Sequence, residues 1–100
     1  MGSQQKVQDF IDKHGMEAPP EFRIMDLIAE AGEIAADANN STDYGLERDN
    51  LNVKEDEMGD ALFSLLALFN SLGVDAEQAL DKTLQKYRDR IEEKGDPGSR

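Results

Sequence analysis

Cysteine is absent from this 100-residue chain, which excludes disulfides and thiolate metal sites. Tryptophan is absent as well, and aromatic residues make up only 6% of the sequence. The one histidine, His14, falls where a short helix should end, a place that suits a cation. Nothing near it has metal-ligand spacing. Positive charge is scarce: 11 Lys and Arg stand against 22 Asp and Glu, for a net charge of −11. Such a surface repels nucleic-acid polymers and anionic membranes. It does not repel a nucleotide whose phosphates come with a divalent cation. An acid-rich, lysine-poor surface also fits a high-salt cytoplasm. No apolar run reaches membrane-spanning length, and Met1-Gly2-Ser3-Gln4-Gln5 carries no apolar signal region. The expectation is a soluble, cytoplasmic protein with no membrane partner and no nucleic-acid polymer as partner. No stretch of useful length alternates with period two, so no sheet is expected.

What remains is helical periodicity. A hydrophobic share of 38% beside a charged share of 33% raises the question of disorder. The apolar residues answer it by falling into periodic blocks. Residues 4–14 read as a short helix with Val7, Phe10 and Ile11 on one face, stopped by Gly15. Pro19-Pro20 opens a second helix over about 20–38, where Ile24, Leu27, Ile28, Ala31, Ile34, Ala35 and Ala38 share a side. A polar, turn-rich loop covers 39–51. Asn52-Val53-Lys54-Glu55 has the form of a capping box. It starts a third helix that runs to about 72 and ends at Gly73. Asp75-Ala76-Glu77-Gln78 caps a fourth helix to about 93, and the Gly- and Pro-containing tail 94–100 cannot extend it. The fold class is therefore all-α: one helical domain over 1–100, with its core over about 4–93, built as a four-helix bundle.

The third helix is unusual. From Ala61 to Phe69 its only polar residue is Ser64, and a helix apolar on nearly every side must be buried all round. Three other short helices cannot cover it easily, so the bundle is expected to be completed by a second subunit.

Two acidic motifs stand out: Glu30-Ala31-Gly32-Glu33 in the second helix and Glu57-Met58-Gly59-Asp60 at the start of the third. Acids three apart lie on one helix face. Spacing alone also describes a solvated acidic surface, since Asp9/Asp12 and Asp89/Glu92 repeat it. The surroundings separate the motifs from those pairs. Glu57, Asp60 and Ser64 make a narrow polar stripe flanked by apolar residues, and Glu30 and Glu33 border the apolar face of the second helix. Packing those faces together gathers four carboxylates, which cannot share a site without a metal or several protons. Mg²⁺, with its preference for hard oxygen ligands, suits such a set. Gly32 and Gly59 interrupt good helix formers, either for close helix contact or for room beside the acids.

The segments Leu27-Ile28-Ala29-Glu30-Ala31-Gly32-Glu33-Ile34 and Glu57-Met58-Gly59-Asp60-Ala61-Leu62 resemble the paired E-x-x-E and E-x-x-D signature of MazG-like nucleotide pyrophosphohydrolases. The resemblance covers about residues 20–95. It implies an all-α fold that usually dimerises, as a homodimer or higher homo-oligomer, and Mg²⁺, with Mn²⁺ as a substitute, bound by Glu30, Glu33, Glu57 and Asp60. It implies hydrolysis of a nucleoside triphosphate to monophosphate and pyrophosphate. One of the acids, Glu33 or Glu30, would act as catalytic base. The chain departs from the pattern at Ala29, where many members carry Glu, and at Tyr87, where many carry Asn. In the fourth helix Lys82, Lys86 and Arg90 form a basic stripe. It either pairs locally with Asp81, Asp89 and Glu93 or contacts nucleotide phosphates. Phe22 and Tyr44 are candidates to stack on a base, although Phe22 also suits the core. The alternatives are a phosphoribosyl-ATP pyrophosphohydrolase, with similar motifs, and a non-catalytic acidic helical interaction module.

Overall fold

The computed structural model describes residues 2–98 and contains four α-helices: α1 Ser3–His14, α2 Pro20–Ser41, α3 Glu55–Ser71 and α4 Ala76–Lys94. A single 3-10 turn, Arg48–Asn50, lies between α2 and α3. Among the described residues there is no strand, and no helix is long and apolar enough to cross a membrane.

α1 places Val7 and Ile11 one turn apart, and both are buried. Gly15 ends it in the left-handed conformation, φ 61°, with its N–H returned to the Ile11 carbonyl. α2 begins with Pro20 in its first turn and runs past the expected end at 38 to Ser41. The turn formers Asn39 and Asn40 continue the helix because Thr42 closes it. The Thr42 N–H and Oγ1–H both donate to the Ala38 carbonyl, at 3.3 and 2.6 Å. The chain then turns through three consecutive left-handed residues, Asp43, Tyr44 and Gly45.

The capping box anticipated at Asn52 does not form. α3 starts at Glu55, with Lys54 as the residue before it and no side-chain cap from that residue. Side chains of α2 take over: Ser41 Oγ accepts the Asn52 N–H at 2.9 Å and the Asp37 carboxylate accepts the Lys54 N–H at 3.1 Å. The end of α2 therefore meets the start of α3, and the two helices run antiparallel. At α4 the expected cap is present, with the Asp75 carboxylate accepting the Gln78 N–H at 3.1 Å.

α2 and α1 both pack on α3. The buried centre is Val7, Ile11, Leu66 and Ala67, with Phe63 and Ala76 packed against it. Phe10, exposed along one edge, meets Phe63 edge-on with ring centroids 6.1 Å apart. Gln4 ties the start of α1 to the turn between α3 and α4. Its side-chain amide donates to the Val74 carbonyl and accepts the Ala76 N–H, each at 2.7 Å, while its own carbonyl accepts from Asn70. Arg23 is buried beside α1, donating to the Met16 carbonyl and standing 4.0 Å from Asp26.

Within one chain α3 is not buried on all sides, as expected of a helix that three short helices cannot cover easily. Ser64, Leu66 and Ala67 are buried, but Met58, Leu62 and Leu65 face solvent. α4 buries no residue, and its stripe of Leu80, Leu84, Tyr87 and Ile91 is exposed. The first two turns of α4 frame an open groove with α3, lined by Leu62, Leu65, Phe69, Leu80 and Thr83. On α2, Ile24, Met25 and Ile28 are exposed, as is Phe22, which is not core in the single chain. The physical reason is geometric. α2 and α1 occupy two sides of α3, and α4, which buries no residue, leaves the remaining side an open groove.

Candidate carboxylate metal centre

The antiparallel pairing of α2 and α3 sets the middle of α2 against the first turns of α3. Glu30, Glu57 and Asp60 each offer an oxygen, and the three oxygens lie within 4.8 Å of one another. Glu30 and Glu57 are half-buried and Asp60 is exposed. A divalent cation holds oxygens at roughly 2.0–2.6 Å, so ligands across an ion are about 4–5 Å apart. The three acids are therefore close enough to share one. Among the described residues no Lys or Arg forms an ion pair with any of them.

The electrostatic consequence falls on Glu57. Partial burial pushes its carboxyl above the ordinary carboxylate value, and the negative charges of Asp56, Asp37, Glu33 and Asp60 push it further. An anion crowded by anions, without a protein cation to balance it, binds a proton or a divalent cation more readily than an isolated carboxylate does. Hard carboxylate oxygens from two facing helices are a donor set suited to Mg²⁺ or Mn²⁺.

Of the four acids anticipated as ligands, Glu33 stands outside the close group. It is exposed on α2, yet near enough for its charge to be felt at Glu57. Gly32 and Gly59 have open space where a Cβ would stand, with nothing within 4 Å. Within the chain they do not serve close helix contact.

The basic stripe is not brought to the carboxylates. Lys82 and Lys86 are exposed and Arg90 is half-buried on α4. Nor do the three pair with Asp81, Asp89 or Glu93 among the described residues. Instead the Lys86 ammonium lies 5.4 Å from the centre of the Tyr87 ring, and Arg90 donates to the Pro97 carbonyl at 3.2 Å. Tyr44 projects from the left-handed turn with 75% of its surface exposed. Neither it nor Phe22 closes over the acids in the single chain. The side chains that sequence reasoning missed are Ser41 and Gln4, whose partners are 11 and about 70 positions away. No local pattern announces such contacts.

The model of the MazG nucleotide pyrophosphohydrolase domain matches residues 20–94. The chain belongs to the MazG family. No curated protein and no solved structure matches it. The MazG match contains all four motif acids and the whole basic stripe, and it leaves α1 outside. The MazG region thus carries the carboxylate group, while α1 supplies two of the four residues of the buried centre.

Proposed function

We propose that this MazG-family chain is a Mg²⁺-dependent nucleoside triphosphate pyrophosphohydrolase, releasing a nucleoside monophosphate and pyrophosphate. The observation that carries the reading is the convergence of Glu30, Glu57 and Asp60 from two helices, oxygens within 4.8 Å, in a family of nucleotide pyrophosphohydrolases. Those three acids would hold the cation. A bound Mg²⁺ supplies charge neutralisation at the phosphate oxygens and a place for the attacking water.

The chain's own groups divide the remaining work. Glu33, exposed beside the ligand group, is the carboxylate left free to accept a proton from water. Lys82, Lys86 and Arg90 are the cations available to the leaving pyrophosphate. They act in an assembly of chains, in which the apolar stripe of α4 is covered and its basic side is brought to bound substrate. The uncovered apolar residues of α2, α3 and α4 support a homodimer or higher homo-oligomer. Phe22 and Tyr44 remain the candidates to meet the base in that assembly.

The test is hydrolysis in ¹⁸O-water across ribo-, deoxyribo- and damaged triphosphates and phosphoribosyl-ATP, each with and without Mg²⁺. Label in the monophosphate, with pyrophosphate as co-product, supports attack at the α phosphorus. Label in orthophosphate, with a diphosphate as co-product, contradicts it. Turnover of phosphoribosyl-ATP alone would narrow the substrate to that compound.

A further inference from the structure

α3 begins without a cap of its own, since Lys54 contributes no side-chain hydrogen bond to the helix start. The N–H groups at that end have no partner inside the helix. The Lys54 N–H is taken by Asp37 at 3.1 Å, and two residues earlier the Asn52 N–H is taken by Ser41 at 2.9 Å. Asp37 and Ser41 are four apart, one turn along the same side of α2. α2 thus grips the chain entering α3 at two successive points. Asp37 also lies seven residues beyond Glu30 on α2, close to two turns, and so on the same side. On α3, Glu57 and Asp60 follow Lys54 by three and six residues. A slip of one residue in this contact would shift Glu57 by about 1.5 Å along α3 and turn it about 100° away.

We propose that Asp37 is a positioning residue of the carboxylate centre: its hydrogen bond to the Lys54 N–H sets the register of α3 on α2 and so keeps Glu57 and Asp60 opposite Glu30. The inference rests on the reading of those three acids as metal ligands. Asp37 itself lies outside their close group, so it acts through the backbone it holds. A carboxylate bonded to a backbone N–H is a stronger tie than a neutral acceptor. Asp37 is half-buried, and the Lys54 N–H that it accepts lies at an exposed helix start.

The test compares Asp37→Ala, Asp37→Asn and Ser41→Ala in the full chain. It reads Mn²⁺ affinity by electron paramagnetic resonance, and backbone amide exchange at Lys54 and Asn52 by NMR. Asn keeps an oxygen that accepts the bond and removes the charge; Ala removes both. Asp37→Ala is expected to weaken Mn²⁺ binding about tenfold or more and to speed exchange at Lys54. Asp37→Asn should stay within about threefold of wild type and keep Lys54 protected. Ser41→Ala should speed exchange at Asn52 and weaken Mn²⁺ binding less than Asp37→Ala. Wild-type affinity in Asp37→Ala overturns the proposal. So does an equal loss in Asp37→Asn, which would make charge rather than register the cause. If Asp37→Ala does not fold, the other two variants decide, and Ser41→Ala must then bind Mn²⁺ more weakly than Asp37→Asn. A wild-type chain that binds no Mn²⁺ refutes the metal reading itself and Asp37's role in it. That outcome is distinct, because it precedes any substitution.

Discussion

Glu57 is the side chain at which burial and charge meet. Its carboxyl is raised first by desolvation and then by Asp56, Asp37, Glu33 and Asp60. Because its folded pKa lies above the unfolded value of 4.5, the native state holds this proton more tightly than the unfolded chain. The stabilising contribution is full below 4.5 and is lost as pH rises through the folded pKa. Metal-free Glu57→Gln should therefore melt at or above the wild-type temperature at neutral pH, with Mg²⁺-dependent turnover sharply reduced. A lower melting temperature together with full activity would remove Glu57 from the centre. Glu33 separates from the ligands in a second measurement. Asp60→Asn should lose both turnover and the rise in melting temperature that Mn²⁺ gives through mass action. Glu33→Gln should keep the Mn²⁺ shift and lose about 10²-fold or more in turnover, the usual contribution of a general base. Loss of the Mn²⁺ shift in Glu33→Gln would make Glu33 a ligand instead.

Elements were legible where their ends are set by neighbours in sequence. Pro20 opens α2, Gly15 closes α1 and Asp75 caps α4, each through a bond or dihedral within a few positions. The α2–α3 junction was not legible, because Asp37 and Ser41 fix it from a helix that sequence distance hides. The acid motifs could be read because a three-residue spacing and apolar flanks are local properties. That Glu33 stands apart from Glu30, Glu57 and Asp60 depends on how α2 is rotated on α3, which no spacing encodes. Two substitutions test the local rules. Asp75→Ala should cost about 1 kcal/mol in denaturant unfolding through loss of the α4 cap. Gly45→Ala meets no neighbour within 4 Å and has φ 90°, so its cost is conformational alone, about 1–2 kcal/mol. No change in either midpoint would show that α4 or the left-handed turn is already open in the native protein.

At the scale of the whole molecule, the single chain leaves too much apolar surface in water. Its radius of gyration is 16.8 Å, against about 13 Å for a compact chain of this length. α4 buries no residue and leaves Leu80, Leu84, Tyr87 and Ile91 uncovered. Met58, Leu62 and Leu65 of α3 and Ile24, Met25 and Ile28 of α2 are uncovered too. Each such side chain gains about 1.5–3 kcal/mol when fully buried. A second copy, which carries the same exposed faces, is the partner proposed for them. Sedimentation at micromolar concentration should give at least twice 11.1 kDa. Leu62→Asp is the sharper probe, because Leu62 is 53% exposed within its own chain. Charge there disturbs the chain's own packing little and burdens an interface directly. In a two-fold dimer the change occurs once in each copy, and a loss of about 1.4 kcal/mol is tenfold in the dissociation constant. Leu62→Asp should therefore weaken assembly at least tenfold, while Asp12→Asn, an exposed change on α1, leaves it unaltered. A wild-type monomer at micromolar concentration, or a Leu62→Asp protein that assembles as well as wild type, would mean that something other than a second copy covers α3.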